Sequence, residues 1–168
     1  MKGSLQVIID RSLPLAELLE LAAVQVMKML QIERELRIDI QIPPGALFAE
    51  TPSMVPDHPE WGLYLYLDDV DESLVDAYLS TLSTESGAES PVLCFEELRT
   101  PASKVLAAGL AIAAAQLLRT EVLDYEHVWA DRERVPATEL LQQLTVSSLK
   151  PSIESALVEF SGRMNRHF

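Results

Sequence analysis

The sequence predicts a single α+β domain whose sheet is mostly antiparallel. Three observations predict this class: a helical apolar pattern over residues 12–31, an apolar/polar alternation over residues 36–42, and an alanine-rich apolar run after Thr100. With 168 residues, of which 48% are hydrophobic, the chain has the size of one domain and enough apolar material for one core. Residues 1–168 are therefore expected to form one unit.

The N-terminal part has a strand–helix–strand pattern. Residues 5–9 are predicted to form a strand, and Ser12 is predicted to cap a helix that runs to about Gln31. Apolar side chains recur along one face of this helix: Leu15, Leu18, Ala22, Val26 and Met29. Residues 36–42 then alternate with period two, which is typical of a strand with one buried face. The apolar positions of that strand are Leu36, Ile38, Ile40 and Ile42.

Residues 43–60 are predicted to form a long loop. Five of the ten prolines lie there, at positions 43, 44, 52, 56 and 59, and each lacks the amide donor that a regular element needs. Loops of this length within compact domains are uncommon and are often either functional or mobile. Phe48 is one of the few large apolar residues in this loop.

The middle of the chain is predicted to contribute a strand, a helix and another strand. Residues 62–67 fit a strand, and Asp69 with Glu72 three positions later resembles a capping box that opens a helix over residues 71–82. A polar turn over residues 83–90 and a short buried strand over residues 91–95 follow. Up to this point the order of elements is βαββαβ, which indicates a ferredoxin-like core with a mostly antiparallel sheet.

The C-terminal part is predicted to extend this core with additional helices. Thr100 as cap and Pro101 at the first helical position open a helix that ends at Leu118. Its many alanines and Gly109 allow another backbone to approach closely, so this helix is expected in the middle of the molecule. A short strand over residues 121–124 and two helices over residues 136–144 and 151–164 complete the prediction.

The charge of the chain is strongly asymmetric. The net charge is -13, from 26 acidic and 13 basic residues, and no Lys or Arg occurs between Ile38 and Leu98. That segment contains thirteen acids, so the rest of the chain, with thirteen acids and thirteen bases, is neutral. A concentrated negative field of this kind repels nucleic acid and attracts a basic protein.

Composition also indicates the cellular compartment. The only cysteine, Cys94, cannot form an internal disulfide, which favours a reducing compartment. The first residues lack the features of a secretion signal, and the longest apolar run, residues 105–118, is short for a bilayer span. We therefore expect a cytoplasmic protein with no membrane role.

Histidine and acidic side chains supply one candidate for catalysis or metal binding. His58 lies in the proline-rich loop, and Asp124 and His127 follow the predicted strand 121–124. His58 lies about seventy positions from Asp124 and His127, and the three residues lack the spacing of known metal motifs. The third histidine, His167, lies at the chain end. An ordinary structural role is the favoured interpretation, and a His/Asp enzyme site is kept as an alternative.

Other familiar chemical motifs are missing from the sequence. Cys94 lies in an apolar stretch beside two glutamates, which suits a buried thiol and not a nucleophile. A calcium loop that starts at Asp69 would need glycine and glutamate where Leu74 and Ser80 stand. The glycines are scattered singly, so no phosphate-binding loop is present. No cofactor is expected.

Residues 109–144 resemble a family of bacterial immunity proteins that neutralise partner toxins. The segment reads GLAIAAAQLLRTEVLDYEHVWADRERVPATELLQQL, an alanine-rich helix followed by a short strand ending in Asp124, then Trp129 and another helix. It covers about a fifth of the chain and departs from the family at Arg119-Thr120, where paired glycines are common. The resemblance implies a stoichiometric inhibitor that performs no chemistry and binds a toxin domain.

The leading hypothesis is a non-catalytic protein-binding module of the immunity type. Its acidic surface would face a basic partner protein, such as a toxin domain. Two apolar residues amid the charge would act as anchors. The residues assigned to this surface are Phe48, Asp57, Glu60, Trp61, Asp68, Asp69, Asp71, Glu72 and Asp76. The alternative is a self-associating structural or regulatory domain. Such a domain would form a homo-oligomer through a sheet edge or the apolar stripe of the last helix, Ile153, Leu157, Phe160 and Met164.

Overall fold

A computed structural model describes residues 3–41, 53–55, 61–83 and 86–164. It is a mixed α/β structure with four helices and a mostly antiparallel sheet, as the sequence predicts at this level. The strands are β1 Ser4–Ile8, β2 Leu13–Pro14, β3 Ile38–Gln41, β4 Met54–Val55, β5 Gly62–Leu67, β6 Val75–Ser83, β7 Glu89–Glu97, β8 Val122–Leu123 and β9 Arg134–Val135. The helices are α1 Leu15–Leu30, α2 Pro101–Leu118, α3 Ala137–Leu144 and α4 Ile153–Met164.

Seven strands form the main sheet in the order β3-β5-β6-β7-β1-β8-β9, and each neighbouring pair is antiparallel. Alternate side chains of these strands point to a single core on one face. They include Leu5, Val7, Leu63, Leu65, Val75, Ala77, Leu93 and Phe95, all fully buried. Helix α2 packs on this face against β1 and β7.

Helix α2 is the centre of the molecule, as its small residues predict. The Thr100 side chain accepts a hydrogen bond from the Ser103 amide, and Pro101 occupies the first turn, so the predicted start is confirmed. Helix α1 packs closely on α2, and α3 and α4 also contact it. A Cβ added to Gly109 would lie 2.5 Å from Cγ2 of Val26, which shows how near the two helices approach.

The prediction that Ser12 caps the first helix is wrong. The helix begins at Leu15 after Pro14, which makes no side-chain cap. Residues 13–14 instead form a two-residue strand that pairs with Met54–Val55. Within the described part of the proline-rich segment, residues 53–55, Met54–Val55 therefore form a short strand, because residues distant in sequence supply a partner that local patterns do not reveal. The following strand, predicted over 36–42, is described over Ile38–Gln41, and residue 42 lies outside the described part.

The prediction of a helix over residues 71–82 is also wrong. Val75–Ser83 is the strand β6, which pairs with β5 on one side and over its full length with β7 on the other. The Asp69/Glu72 spacing therefore belongs to a hairpin turn. Since three consecutive strands replace the expected strand–helix–strand, the ferredoxin-like core is not confirmed.

The remaining elements follow the sequence more closely. The strand near residue 122 and the last two helices are found, and the short strand β9 was not predicted. Helix α2 is long and apolar enough by composition to cross a membrane, but 78% of it is buried inside the protein, as in the core helix of a globular domain.

Candidate functional site

The acidic residues concentrate at the turn between β5 and β6. Asp68, Asp69, Asp71 and Glu72 all have exposed side chains there, within five residues. We call these four residues the acidic turn. Two of them adopt left-handed backbone conformations, Asp69 with φ 60° and Glu72 with φ 56°. Such φ values are uncommon outside glycine, asparagine and aspartate, so the surrounding structure must hold the turn in place.

Ser73 holds the acidic turn. It is buried, and its hydroxyl accepts a hydrogen bond from the Leu67 amide at 2.9 Å and lies 2.9 Å from the Val70 carbonyl, to which it can donate. The Val70 amide closes the turn by donating to the Leu67 carbonyl at 3.2 Å. On the opposite side, the Thr100 hydroxyl donates to the Glu72 carbonyl, which joins the turn to the start of α2. These bonds fix the carboxylates on a defined backbone.

Few cations neutralise the acidic turn. Arg34 approaches Asp69 at 3.8 Å, and both side chains are exposed, so this pair is weak. Within residues 61–83 and the other described ranges, no ion pair involves Asp68, Asp71 or Glu72. Nearby, Arg37 binds Asp39 at 2.9 Å. The turn therefore keeps most of its negative charge.

A row of polar side chains lies on the sheet face opposite the core. Tyr64 is paired with Asp76, and Asp76 is paired with Glu96 on the next strand, so two carboxylates stand side by side. Both carboxylates belong to the sheet face that carries the tyrosines. Tyr66 and Tyr78 lie on the same face, half-buried. We call Tyr64, Tyr66, Asp76, Tyr78 and Glu96 the tyrosine–carboxylate face.

Tyr78 and Cys94 illustrate the electrostatics of this face. Burial raises the pKa of Tyr78 to about 12, and the neighbouring Cys94 and Glu96 act in the same direction. Its hydroxyl lies 3.4 Å from Oε2 of Glu96. Burial also raises the pKa of Cys94 to about 11. Because a thiol attacks as the thiolate, this cysteine is poorly suited to nucleophilic chemistry at neutral pH.

Of the other predicted surface residues, the structure describes two, Asp76 and Trp61. Asp76 lies on the tyrosine–carboxylate face, half-buried, while Phe48, Asp57 and Glu60 lie outside the described residues. Trp61 is only 2% exposed and belongs to the core, so the structure assigns it to packing and not to an exposed anchor. From the sequence both a core position and an anchoring position are open for Trp61, because tryptophan fills large volumes in cores and interfaces alike.

The tyrosine–carboxylate face is not predicted from the sequence. Its residues come from β5, β6 and β7, and the sequence pattern predicts a helix where β6 lies. The alternation of Val75, Ala77 and Leu79 with polar residues is the signal that could have revealed the strand.

Asp124 has a structural function in this fold. It is 1% exposed, and its carboxylate accepts hydrogen bonds from the backbone amides of Val128 at 3.2 Å, Trp129 at 2.8 Å and Ala130 at 2.8 Å. Its oxygens are thus engaged by the loop that follows β8. His127 is exposed in the same loop with φ 53°, and His58 lies outside the described residues. Among the residues that the structure describes, no three or more His, Cys, Asp or Glu side chains are grouped so that they could hold a metal ion.

The apolar stripe of the last helix faces inward. Ile153, Phe160 and Met164 are buried, and α4 packs on α1 and α2. Only Leu157 of the stripe is half-buried near the surface. This stripe therefore serves the fold of the chain itself and leaves little area for self-association.

Comparison of the chain with protein-family models, with curated proteins and with solved structures gave no match. The acidic turn and the tyrosine–carboxylate face are the features of the described residues from which a function can be proposed.

Proposed function

We propose that this chain is a non-catalytic protein-binding module that presents its acidic surface to a basic partner protein. One observation carries the proposal: four exposed carboxylates lie within five residues on a hydrogen-bonded turn, and among the described residues a single weak ion pair opposes them. The specific form is an immunity-type inhibitor of a toxin domain, which the resemblance of residues 109–144 suggests.

The charge would act chiefly on the encounter between the two proteins. Opposed fields steer association and raise its rate by about 10- to 1000-fold, and this gain falls steeply as salt screens the charges. Rim carboxylates such as Asp68 and Asp71 are exposed, so each contributes little to the lifetime of the complex. Specificity for the partner would come from the relative positions of the four carboxylates of the acidic turn.

The tyrosine–carboxylate face would supply contact area beside the acidic turn. Tyr64 and Tyr66 are half-buried next to Asp76 and Asp39, and tyrosine is enriched at protein interfaces because its ring is apolar and its hydroxyl forms hydrogen bonds. These rings take the anchoring role first assigned to Trp61. Phe48, together with Asp57 and Glu60, remains part of the proposed surface on sequence grounds.

The test compares two charge-reversed variants with equal net charge. Asp68, Asp71 and Glu72 are changed to Lys in the first, and Glu20, Glu126 and Asp131 are changed to Lys in the second; all six side chains are exposed. A partner captured by the wild-type chain is purified, and association rates are measured by surface plasmon resonance over a range of salt concentrations. We expect the first variant to slow association by at least about tenfold and the second to have a much smaller effect.

Two results would contradict the proposal. Equal losses for both variants would show that only net charge matters, and an association rate independent of salt would show that the carboxylates do not steer the partner. Retained circular dichroism spectra confirm that both variants are folded.

A further inference from the structure

A groove adjoins the acidic turn on the side of the helices. It has a volume of about 590 Å³ and lies between the turn, the start of α2 and the outer surface of α4. The residues that line it come from these three elements: Asp71, Glu72, Thr100, Ala102, Glu154 and Val158 among them. Its size falls within the range of ordinary ligand pockets, so it has room for a few side chains.

The floor of the groove is apolar and accessible. Val158 is 74% exposed, more than any other large hydrophobic residue in the described part of the chain. Leu157 lies beside it, and Gly162, one turn further along α4, has no side chain to fill the space. An exposed aliphatic residue in a concave site can bury a partner's apolar side chain, whereas the same residue on a convex surface would gain little.

Carboxylates surround this apolar floor. Asp71 and Glu72 stand on one wall and Glu154 on the other, all three exposed, and none of the described residues that line the groove is Lys or Arg. Because the Thr100 hydroxyl donates to the Glu72 carbonyl, the acidic turn is tied to the α2 wall. The groove thus combines a hydrophobic floor with a negative rim of fixed position.

We propose that this groove receives an aliphatic or aromatic side chain of the partner, flanked in the partner's sequence by Arg or Lys residues. The inference rests on the proposed function and names the chemistry that the acidic surface recognises. A second copy of this chain is a poor occupant, since its net charge is -13 and like charges repel. Nucleic acid is excluded by the same carboxylates.

The probe is a phage-displayed library of random dodecapeptides, selected against the immobilised wild-type chain. We expect enriched peptides that combine Arg or Lys with a large apolar residue. Their affinity is then measured by fluorescence polarisation on wild type, Val158→Glu and Val24→Glu. Val24 is 43% exposed on α1 outside this groove, so V24E adds the same charge to another helix and is the matched control.

The expected result is an affinity loss of at least about tenfold for V158E, because a carboxylate replaces the valine side chain that the bound peptide would cover. For V24E we expect a change in affinity below about twofold. Enriched basic peptides that bind V158E and wild type equally would overturn the groove proposal and leave the acidic-surface function standing. Absence of basic peptides from the selection would overturn both. Both variants alter exposed positions, and their circular dichroism spectra report that the fold is retained.

Discussion

Replacing Asp124 by alanine should destabilise the fold strongly. The substitution removes the acceptor of three backbone amides, and the amides of Trp129 and Ala130 are buried, each at 2.8 Å from the carboxylate. A hydrogen bond to a charged group contributes about 1.5–3 kcal/mol, so losing these two alone costs about 3–6 kcal/mol, with partial recovery if water enters the loop. We expect a loss of about 3–5 kcal/mol in the free energy of unfolding, a large share of the 5–15 kcal/mol typical of a domain.

Urea unfolding followed by tryptophan fluorescence measures this loss directly, since Trp129 lies in the affected loop. Asp124→Asn retains one acceptor oxygen and should fall between wild type and alanine. Asp131→Ala is the control, because Asp131 is exposed in the same loop, and its effect should stay within about 0.5 kcal/mol. A D124A protein whose free energy of unfolding lies within about 1 kcal/mol of wild type would refute the reasoning, because the hydrogen bonds from the backbone amides to the carboxylate would then contribute little to stability.

Two further predictions concern helix packing and pH. Gly109→Ala should destabilise the chain by about 1–3 kcal/mol, because the new Cβ would lie 2.5 Å from Cγ2 of Val26, whereas Gly162→Ala meets nothing within 4 Å and should stabilise by about 0.4–1 kcal/mol. Thermal unfolding of the two variants should show shifts of opposite sign, and equal shifts would contradict the close approach of α1 and α2. Lys150, together with the Ser147 amide, lowers the pKa of Glu159 to about 2 from its ordinary value of 4.5. The stabilisation from this folded-state shift is present above pH 4.5 and disappears as the pH falls towards 2, so Glu159→Gln should flatten that part of the stability–pH profile, and an unchanged profile would count against the contact.

The acidic turn shows which features of the candidate site can be predicted from local sequence patterns. The sequence alone located its four carboxylates and the absence of basic neighbours along the chain, because charge placement needs no fold. It did not reveal that Glu154 and Val158, more than eighty residues away, stand across a groove from Asp71. That proximity arises from the packing of α4 against α2, which is a long-range contact.

Local sequence signals were sufficient to predict α2 and β5. Thr100 and Pro101 set the start of α2 because cap and proline act within a single turn, and the alternation of residues 62–67 identified β5. Residues 75–83 are different, since the alternation of Val75, Ala77 and Leu79, which indicates a strand, competes with the helix start that the Asp69/Glu72 spacing resembles. Only pairing with β5 and β7 decided in favour of a strand, because hydrogen-bond partners in a sheet come from distant parts of the chain and local propensity is too weak to oppose them.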